Sequence, residues 1–192
     1  MLSFFKGKNI FITGNTGFKG SWLSYILKSY GANVHGYALE PKDESNYNIL
    51  DVGQCVHQTI DDIRNFESLS TAIKKAEPEI VFHLAAQALV KDSYEDPKKT
   101  FEINVMGSVN ILQSLRNSET TKSLVYITSD KCYENKEWVW GYRENDQLGG
   151  KDPYSASKAA AELIFHSYLK SFYEKRYDLN IASTRAGNVI GG

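Results

Sequence analysis

Two cysteines, four prolines and no apolar run approaching a membrane span are what this 192-residue sequence offers, and each shortage excludes something. Cys55 and Cys132 stand far apart and form no Cys-x-x-Cys pair, so they read as reduced thiols rather than a disulfide framework. His35, His57, His83 and His166 have no metal-ligand spacing, and no metal is expected. The first eight residues, MLSFFKGK, lack an apolar segment of signal-peptide length. With no stretch long enough to span a bilayer, the expected location is the cytoplasm and no membrane partner is foreseen. An excess of either charge is missing as well: 22 Lys+Arg against 23 Asp+Glu leave a net charge of −1. That balance gives no electrostatic footprint for nucleic acid. Internal repeats and low-complexity segments are also absent.

What remains is an ordinary globular composition, 42% hydrophobic and 23% charged, in a chain long enough for one domain with a real core. Short apolar runs at Asn9–Thr13, Asn33–Leu39, Val56–Ile60, Glu79–Leu84, Ser123–Thr128 and Leu179–Thr184 predict six strands. Helical spacing predicts helices over Trp22–Leu27, Phe66–Lys75, Pro97–Arg116 and Tyr154–Tyr173. In the third helix, Phe101, Val105, Val109 and Leu112 form the expected inner face. Strand–helix alternation predicts an α/β, doubly wound parallel sheet with right-handed crossovers, a Rossmann-type dinucleotide domain over residues 1–192. Residues 134–152 form the one long non-periodic stretch, a lid or functional loop by its size, though Trp138, Trp140 and Tyr142 would also pack it down.

Two motifs carry chemistry. Thr13-Gly14-Asn-Thr16-Gly17-Phe18-Lys-Gly20 links the first strand to the first helix, and its glycines permit a tight turn and close approach of a diphosphate to backbone N–H groups. Gly14, Thr16, Gly17, Phe18 and Gly20 are therefore candidate cofactor contacts. The second strand ends at Ala38-Leu39-Glu40 with no Arg for a 2′-phosphate, which favours NAD. Asp62-Ile63 is a candidate adenine-contact pair, and Ala85-Ala86 offers small residues where backbone must approach a cofactor. The second motif is Tyr154-Ser-Ala-Ser-Lys158. A Tyr and a Lys four residues apart share one helix face, and the ammonium stabilises the phenolate. Asp152 is the expected N-cap and Pro153 the first helical residue. A proton-transfer group on a rigid helix suits oxidation of a hydroxyl.

Gly14-Asn-Thr-Gly-Phe-Lys-Gly20, His83-Leu-Ala-Ala-Gln87, Asn104-Val-Met-Gly107 and Tyr154-x-x-x-Lys158 together resemble the extended short-chain dehydrogenase/reductase superfamily over essentially the whole chain. Gly-Phe-Lys-Gly-Ser-Trp22, Thr-Ser-Asp-Lys-Cys-Tyr133, Trp140-Gly-Tyr-Arg-Glu144, Leu148-Gly-Gly-Lys-Asp-Pro-Tyr154 and Arg185-Ala-Gly-Asn-Val-Ile-Gly-Gly192 are similar to the CDP-glucose 4,6-dehydratase family. Lys131 stands where most sugar-nucleotide 4,6-dehydratases carry Glu.

That resemblance implies a reaction on CDP-glucose in deoxysugar and O-antigen synthesis. Hydride passes from C4 to NAD, water is eliminated across C5 and C6, and hydride returns to C6. Tyr154 would take the 4-hydroxyl proton, with Lys158 lowering its pKa and holding the nicotinamide ribose. Ser129 would bond the same hydroxyl, and Asp130 would protonate the departing C6 hydroxyl. Lys131 would either remove the C5 proton or pair with Asp130 or the sugar. Thr128 joins the cofactor contacts, Gln87 and Asn188 the substrate contacts, and Arg185 is a further candidate for the nicotinamide or sugar. Asn104 reads as structural or part of a water relay.

The resemblance also implies a homodimer built on the Pro97 and Tyr154 helices. It implies a C-terminal nucleotide-sugar domain, so a chain that stops in a glycine-rich loop is expected to be truncated. An epimerase or reductase acting on a nucleotide sugar, and an NAD-binding module without turnover, are the competing readings.

Overall fold

Strands β1 (Asn9–Thr13) and β2 (Asn33–Ala38) flank helix α1 (Phe18–Ser29) in the computed structural model, which describes residues 2–191. Two single-turn helices follow, α2 (Asn46–Ile49) and α3 (Val52–Cys55), and then β3 (His57–Ile60), α4 (Phe66–Ala76) and β4 (Ile80–His83). Helices α5 (Val90–Glu95), α6 (Pro97–Phe101) and α7 (Gly107–Leu115) lead to β5 (Ser123–Ser129), α8 (Pro153–Tyr168) and β6 (Asn180–Ala186). The six strands form one sheet in the order β3-β2-β1-β4-β5-β6, parallel throughout. The predicted doubly wound fold is the observed one. The chain winds outward from β1 to β3, crosses back, and winds outward again from β4. The crevice between the carboxyl ends of β1 and β4 is therefore the switch point, where such sheets bind ligands.

Alternation along the strands feeds two cores. Phe11, Tyr37, Val81, Leu124 and Tyr126 face α4, α7 and α8, where Leu69, Ile111, Leu112 and Phe165 meet them. Ile10, Ile12, Val34 and Ile80 face the other way, toward Leu27 of α1. Full burial of each such side chain contributes about 1.5–3 kcal/mol, so the carboxyl edge of β1 is held rigidly from both sides.

Strand ends differ from the sequence reading by a residue or two. The short helices α2, α3 and α5 lie where no periodic signal is visible, because four to six residues cannot display one. The predicted helix from Pro97 is continuous but carries a π turn at Glu102–Met106 between α6 and α7. One inserted residue rotates the register of everything before it. Phe101, expected inside, is consequently 38% exposed. The inner face instead runs through Asn104, Gly107, Ser108, Ile111, Leu112 and Leu115. The turn brings the Asn104 amide inward, where it donates to Gln87 O (3.0 Å) and Ser157 Oγ (2.8 Å) and accepts from Gln87 N (2.8 Å). Asn104 is thus a structural brace.

Candidate active site

At the end of β1, Gly14 adopts φ +73°, and its N–H donates to Tyr37 O (2.9 Å). A Cβ there would stand 2.7 Å from Ala85 N, so the exit of β4 rides directly over it. Thr13 Oγ1 gathers that exit by accepting from Leu84 N and Ala85 N, both at 3.2 Å. Gly20 is pressed onto the same turn, since a Cβ on it would lie 2.6 Å from Asn15 Cα and 2.9 Å from Gly14 C. Helix α1 opens at Gly17 with no side-chain cap. Its first-turn N–H groups, which have no helical acceptor, are left facing the crevice. Bare backbone, room that any Cβ would fill, and an uncapped helix terminus fit the diphosphate of a dinucleotide.

The expected contacts divide. Gly14, Gly17, Phe18 and Gly20 line this turn, and Ala85 and Ala86 lie half-buried beside it. Thr16 is present but its hydroxyl donates to Leu39 O (2.9 Å), tying the turn to the end of β2. Ile63 turns its side chain inward, into the core: its Cγ2 is 2.8 Å from where a Cβ on Gly107 would sit. Asp62 is clamped by Arg64, 2.7 Å at Nη2 and 3.0 Å at Nε, and that guanidinium holds its carboxyl below the usual range. Gln87, expected to touch substrate, spends its side chain on its own loop and on α6, donating to Leu89 O and Thr100 Oγ1 at 3.0 Å each. Asn15 was not anticipated. It is buried and exchanges hydrogen bonds with Gln58 (2.6 and 3.2 Å), which also accepts from Tyr47 Oη (3.0 Å). Its only sequence signal is a polar residue between the glycines.

The proton-handling residues meet at the carboxyl end of β5. Ser129 closes that strand and caps the short turn Asp130–Cys132, accepting from Lys131 N (3.2 Å) and donating to Asp130 Oδ1 (3.1 Å). Lys131 pairs with Asp130 Oδ2 at 3.6 Å, and both side chains are about half-exposed. Gly187 lies beside Asp130, its Cβ position 3.6 Å from Oδ2. Helix α8 starts as predicted: Asp152 accepts from Ser155 N (2.9 Å), and Pro153 is the first helical residue. It delivers Tyr154 and Lys158, both buried.

Their electrostatics depart from expectation. Burial raises the Tyr154 phenol; a hydrogen bond from Ser129 opposes the rise, while Asp130 and Asp152 add to it. Lys158 Nζ lies over the Tyr154 ring, 5.9 Å from its centroid. Lys158 is itself brought down to about 8, first by burial and then by Lys19. Between about pH 8 and about 10 the unfolded state therefore holds a proton on this lysine that the folded state has lost. Stability conferred at this position rises with pH across that window. Above about 10 the buried tyrosines, raised in the fold, reverse the trend. Denaturation at several pH values should show wild type gaining on Lys158→Met from about pH 8 upward; a constant difference would refute the shift.

Thr128, at the carboxyl end of β5, turns its side chain under α8 and donates to Glu162 and to Thr184 O (3.2 Å). Glu162, 3% exposed, also accepts from Ser183 Oγ (3.1 Å) and from Arg185 Nη2 (2.9 Å). Arg185 in turn donates to Tyr133 Oη (2.9 Å) and Glu144 O (2.8 Å). It thus anchors the loop 134–152 and is committed there. That loop is held further by a Tyr133–Leu148 bridge, by stacking of Tyr133 on Tyr142 (5.2 Å) and by the tilted contact of Trp138 with Trp140 (5.4 Å). Asn188 is exposed in the segment after β6. His83 is buried and neutral, its pKa brought down to about 3 by burial and Lys158, with Nδ1 2.8 Å from Thr13 Oγ1. Burial pushes the Cys132 thiol up to about 11, which leaves it inert. Among the described residues no helix is long and apolar enough to cross a membrane.

A family model described as GDP-mannose 4,6 dehydratase matches residues 11–191. The chain is 50% identical to CDP-glucose 4,6-dehydratase of Salmonella typhimurium, over 99% of this chain and 54% of that protein. It is 32% identical to dTDP-D-glucose 4,6-dehydratase of Dictyostelium discoideum, over 96% of this chain and 44% of that one. UDP-glucose 4-epimerase of Thermotoga maritima, solved with UDP-glucose, superposes with a TM-score of 0.81 at 26% identity, over 95% of this chain and 56% of that one. UDP-glucose 4-epimerase of Brucella ovis, solved with NAD, shares the fold with a TM-score of 0.79 at 24% identity, over 95% and 52%. The chain spans about half the length of the curated relatives it matches.

Proposed function

Because the chain belongs to the GDP-mannose 4,6 dehydratase family, we propose that it is the NAD-binding and proton-handling part of a CDP-glucose 4,6-dehydratase. The observation that carries this reading is the placement of Ser129, Asp130 and Lys131 on one turn beside Tyr154, in a chain 50% identical to a protein of that name. An epimerase or reductase has no use for an elimination acid at that turn.

NAD, when bound, supplies the acceptor that keeps a hydride between oxidation at C4 and reduction at C6. Everything else falls to side chains. The glycine turn with Gly14, Gly17 and Gly20 seats the diphosphate. Tyr154 takes the proton of the 4-hydroxyl, helped by Ser129, whose hydrogen bond favours the phenolate. Lys158 holds the ribose hydroxyls and provides positive charge on the same face. Asp130 gives a proton to the leaving C6 hydroxyl. Lys131 orients Asp130 through their ion pair; removal of the C5 proton by Lys131 would require a bound sugar to strip its water. Exposed Phe101, Met106 and Leu163 on α6, the π turn and α8 are the surface of a homodimer.

The test is turnover of CDP-glucose by the chain extended to the length of its relatives, read as a 4-keto-6-deoxy product. Absence of product with NAD supplied would overturn the reading. In the same assay Asp130→Asn should keep oxidation at C4 and stop water loss, whereas equal loss of both steps would remove Asp130 from its role.

A further inference from the structure

The Asn15 side chain leaves the glycine turn, crosses β2 and ends on β3, the outermost strand of the sheet. It is 0% exposed, so its amide cannot turn to water. Nδ2 donates to Gln58 Oε1 (2.6 Å) while Oδ1 accepts from Gln58 Nε2 (3.2 Å). Gln58 is held in turn: its Oε1 also accepts from Tyr47 Oη (3.0 Å) on α2, and its Nε2 also donates to Thr59 O (3.1 Å). Strand β2 is cut away to let the pair meet. Gly36 is the register partner of Gln58, and a Cβ on it would stand 2.5 Å from both Asn15 Cγ and Gln58 Oε1. A glycine inside a strand weakens it and marks such a close approach.

Strength alone does not account for an amide pair here. An apolar pair of the same shape would join the turn to β3 about as firmly, since buried amides recover little more than the hydration they give up. What the amides add is direction: two opposed bonds fix the rotation of both side chains. Residues 14–17 are where direction matters. A diphosphate seated there faces peptide N–H groups, and helix α1 supplies no side-chain cap. The neighbouring ties, from Gly14 N–H to Tyr37 O and from Thr16 Oγ1 to Leu39 O, reach backbone atoms only. A turn already fixed in its bound shape loses no affinity to ordering.

We propose that Asn15 and Gln58 are positioning residues for the dinucleotide: their reciprocal amide pair sets the direction of the peptide groups in the glycine turn, and Tyr47 holds Gln58 in the orientation that does so. The role rests on a dinucleotide occupying the turn. It makes cofactor affinity depend on β3, an edge strand separated from β1 by β2.

Denaturation and calorimetric titration with NAD test the assignment on the wild-type chain, Gln58→Met, Tyr47→Phe and the double variant Asn15→Leu with Gln58→Met. Gln58→Met strands the Asn15 amide and should lower both stability and NAD affinity, the latter by about tenfold, near 1.4 kcal/mol. The double variant replaces the amide pair by an apolar one, so it should recover the lost stability while NAD stays about tenfold weaker than in wild type. Affinity that returns along with stability reveals a brace for the strand alone and overturns the positioning role. Unchanged NAD affinity in Gln58→Met overturns it too. Where the double variant fails to fold, Tyr47→Phe decides, because it removes one bond to Gln58 and leaves the pair in place. NAD about threefold weaker is then expected, and wild-type affinity overturns the role. A wild-type chain that binds no NAD overturns the cofactor reading and the role with it, a failure visible before any variant is made.

Discussion

Gly20→Ala is expected to abolish dinucleotide binding and to lower stability by about 3 kcal/mol, the upper end for overpacking. The added methyl has nowhere to go. It would stand 2.6 Å from Asn15 Cα and 2.9 Å from Gly14 C, both backbone atoms, and it would also meet Gly14 O. Gly14 cannot retreat, because Ala85 N lies against it on the far side and its own N–H is bonded to Tyr37 O at the end of β2. The first turn of α1 must therefore lift off β1, removing the N–H groups from the diphosphate. Chemical denaturation and NAD titration read the two effects separately. A variant with unaltered NAD affinity would show that the turn has slack the packing denies.

Arg185→Met should cost about 3–5 kcal/mol, because it strands Glu162 as a buried carboxylate without its cation. Thr128 and Ser183 would still donate to Glu162, but neither carries charge. The loop 134–152 loses its guanidinium bonds to Tyr133 and Glu144 at the same time, so proteolysis there should accelerate. The double change Glu162→Met with Arg185→Met separates the causes, since an apolar pair of similar volume is often tolerated. It should recover most of the stability while the loop stays open to protease. If the double variant is no more stable than Arg185→Met, the penalty lies in the loop contacts and not in the stranded charge.

The sheet and its site were legible in the sequence to unequal depth. Apolar runs located the four inner strands, because a buried parallel strand must be largely apolar; the edge strands β3 and β6 are exposed or half-buried throughout and gave a weaker pattern. The glycine turn and the α8 start were legible for a similar reason, as Gly14 and Asp152 each satisfy a backbone requirement that few other residues meet. Side-chain direction was harder. Thr128 and Ser129 are neighbours on β5 and so point to opposite faces, and no local pattern tells which one meets the cofactor. Phe101 was misplaced by a π turn, which holds Asn104 where it meets Gln87 and Ser157, far apart in the chain. The near-complete burial of Lys158, which brings its own pKa down, is set by the elements packed around α8 and not by its own segment. Arg185 and Glu162 likewise belong to different elements, and nothing in either segment names the other.

The three tryptophans of the chain have all been placed at the rim of the crevice. Trp22 lines the cleft beside Phe18 and Lys19, while Trp138 and Trp140 pack together in the loop that Arg185 ties down. With none in the two cores, the intrinsic emission of this protein originates at its binding edge. Ligand arrival at the cleft and release of the loop are optical events, readable without a label and divisible between the two locations by replacing Trp22 alone.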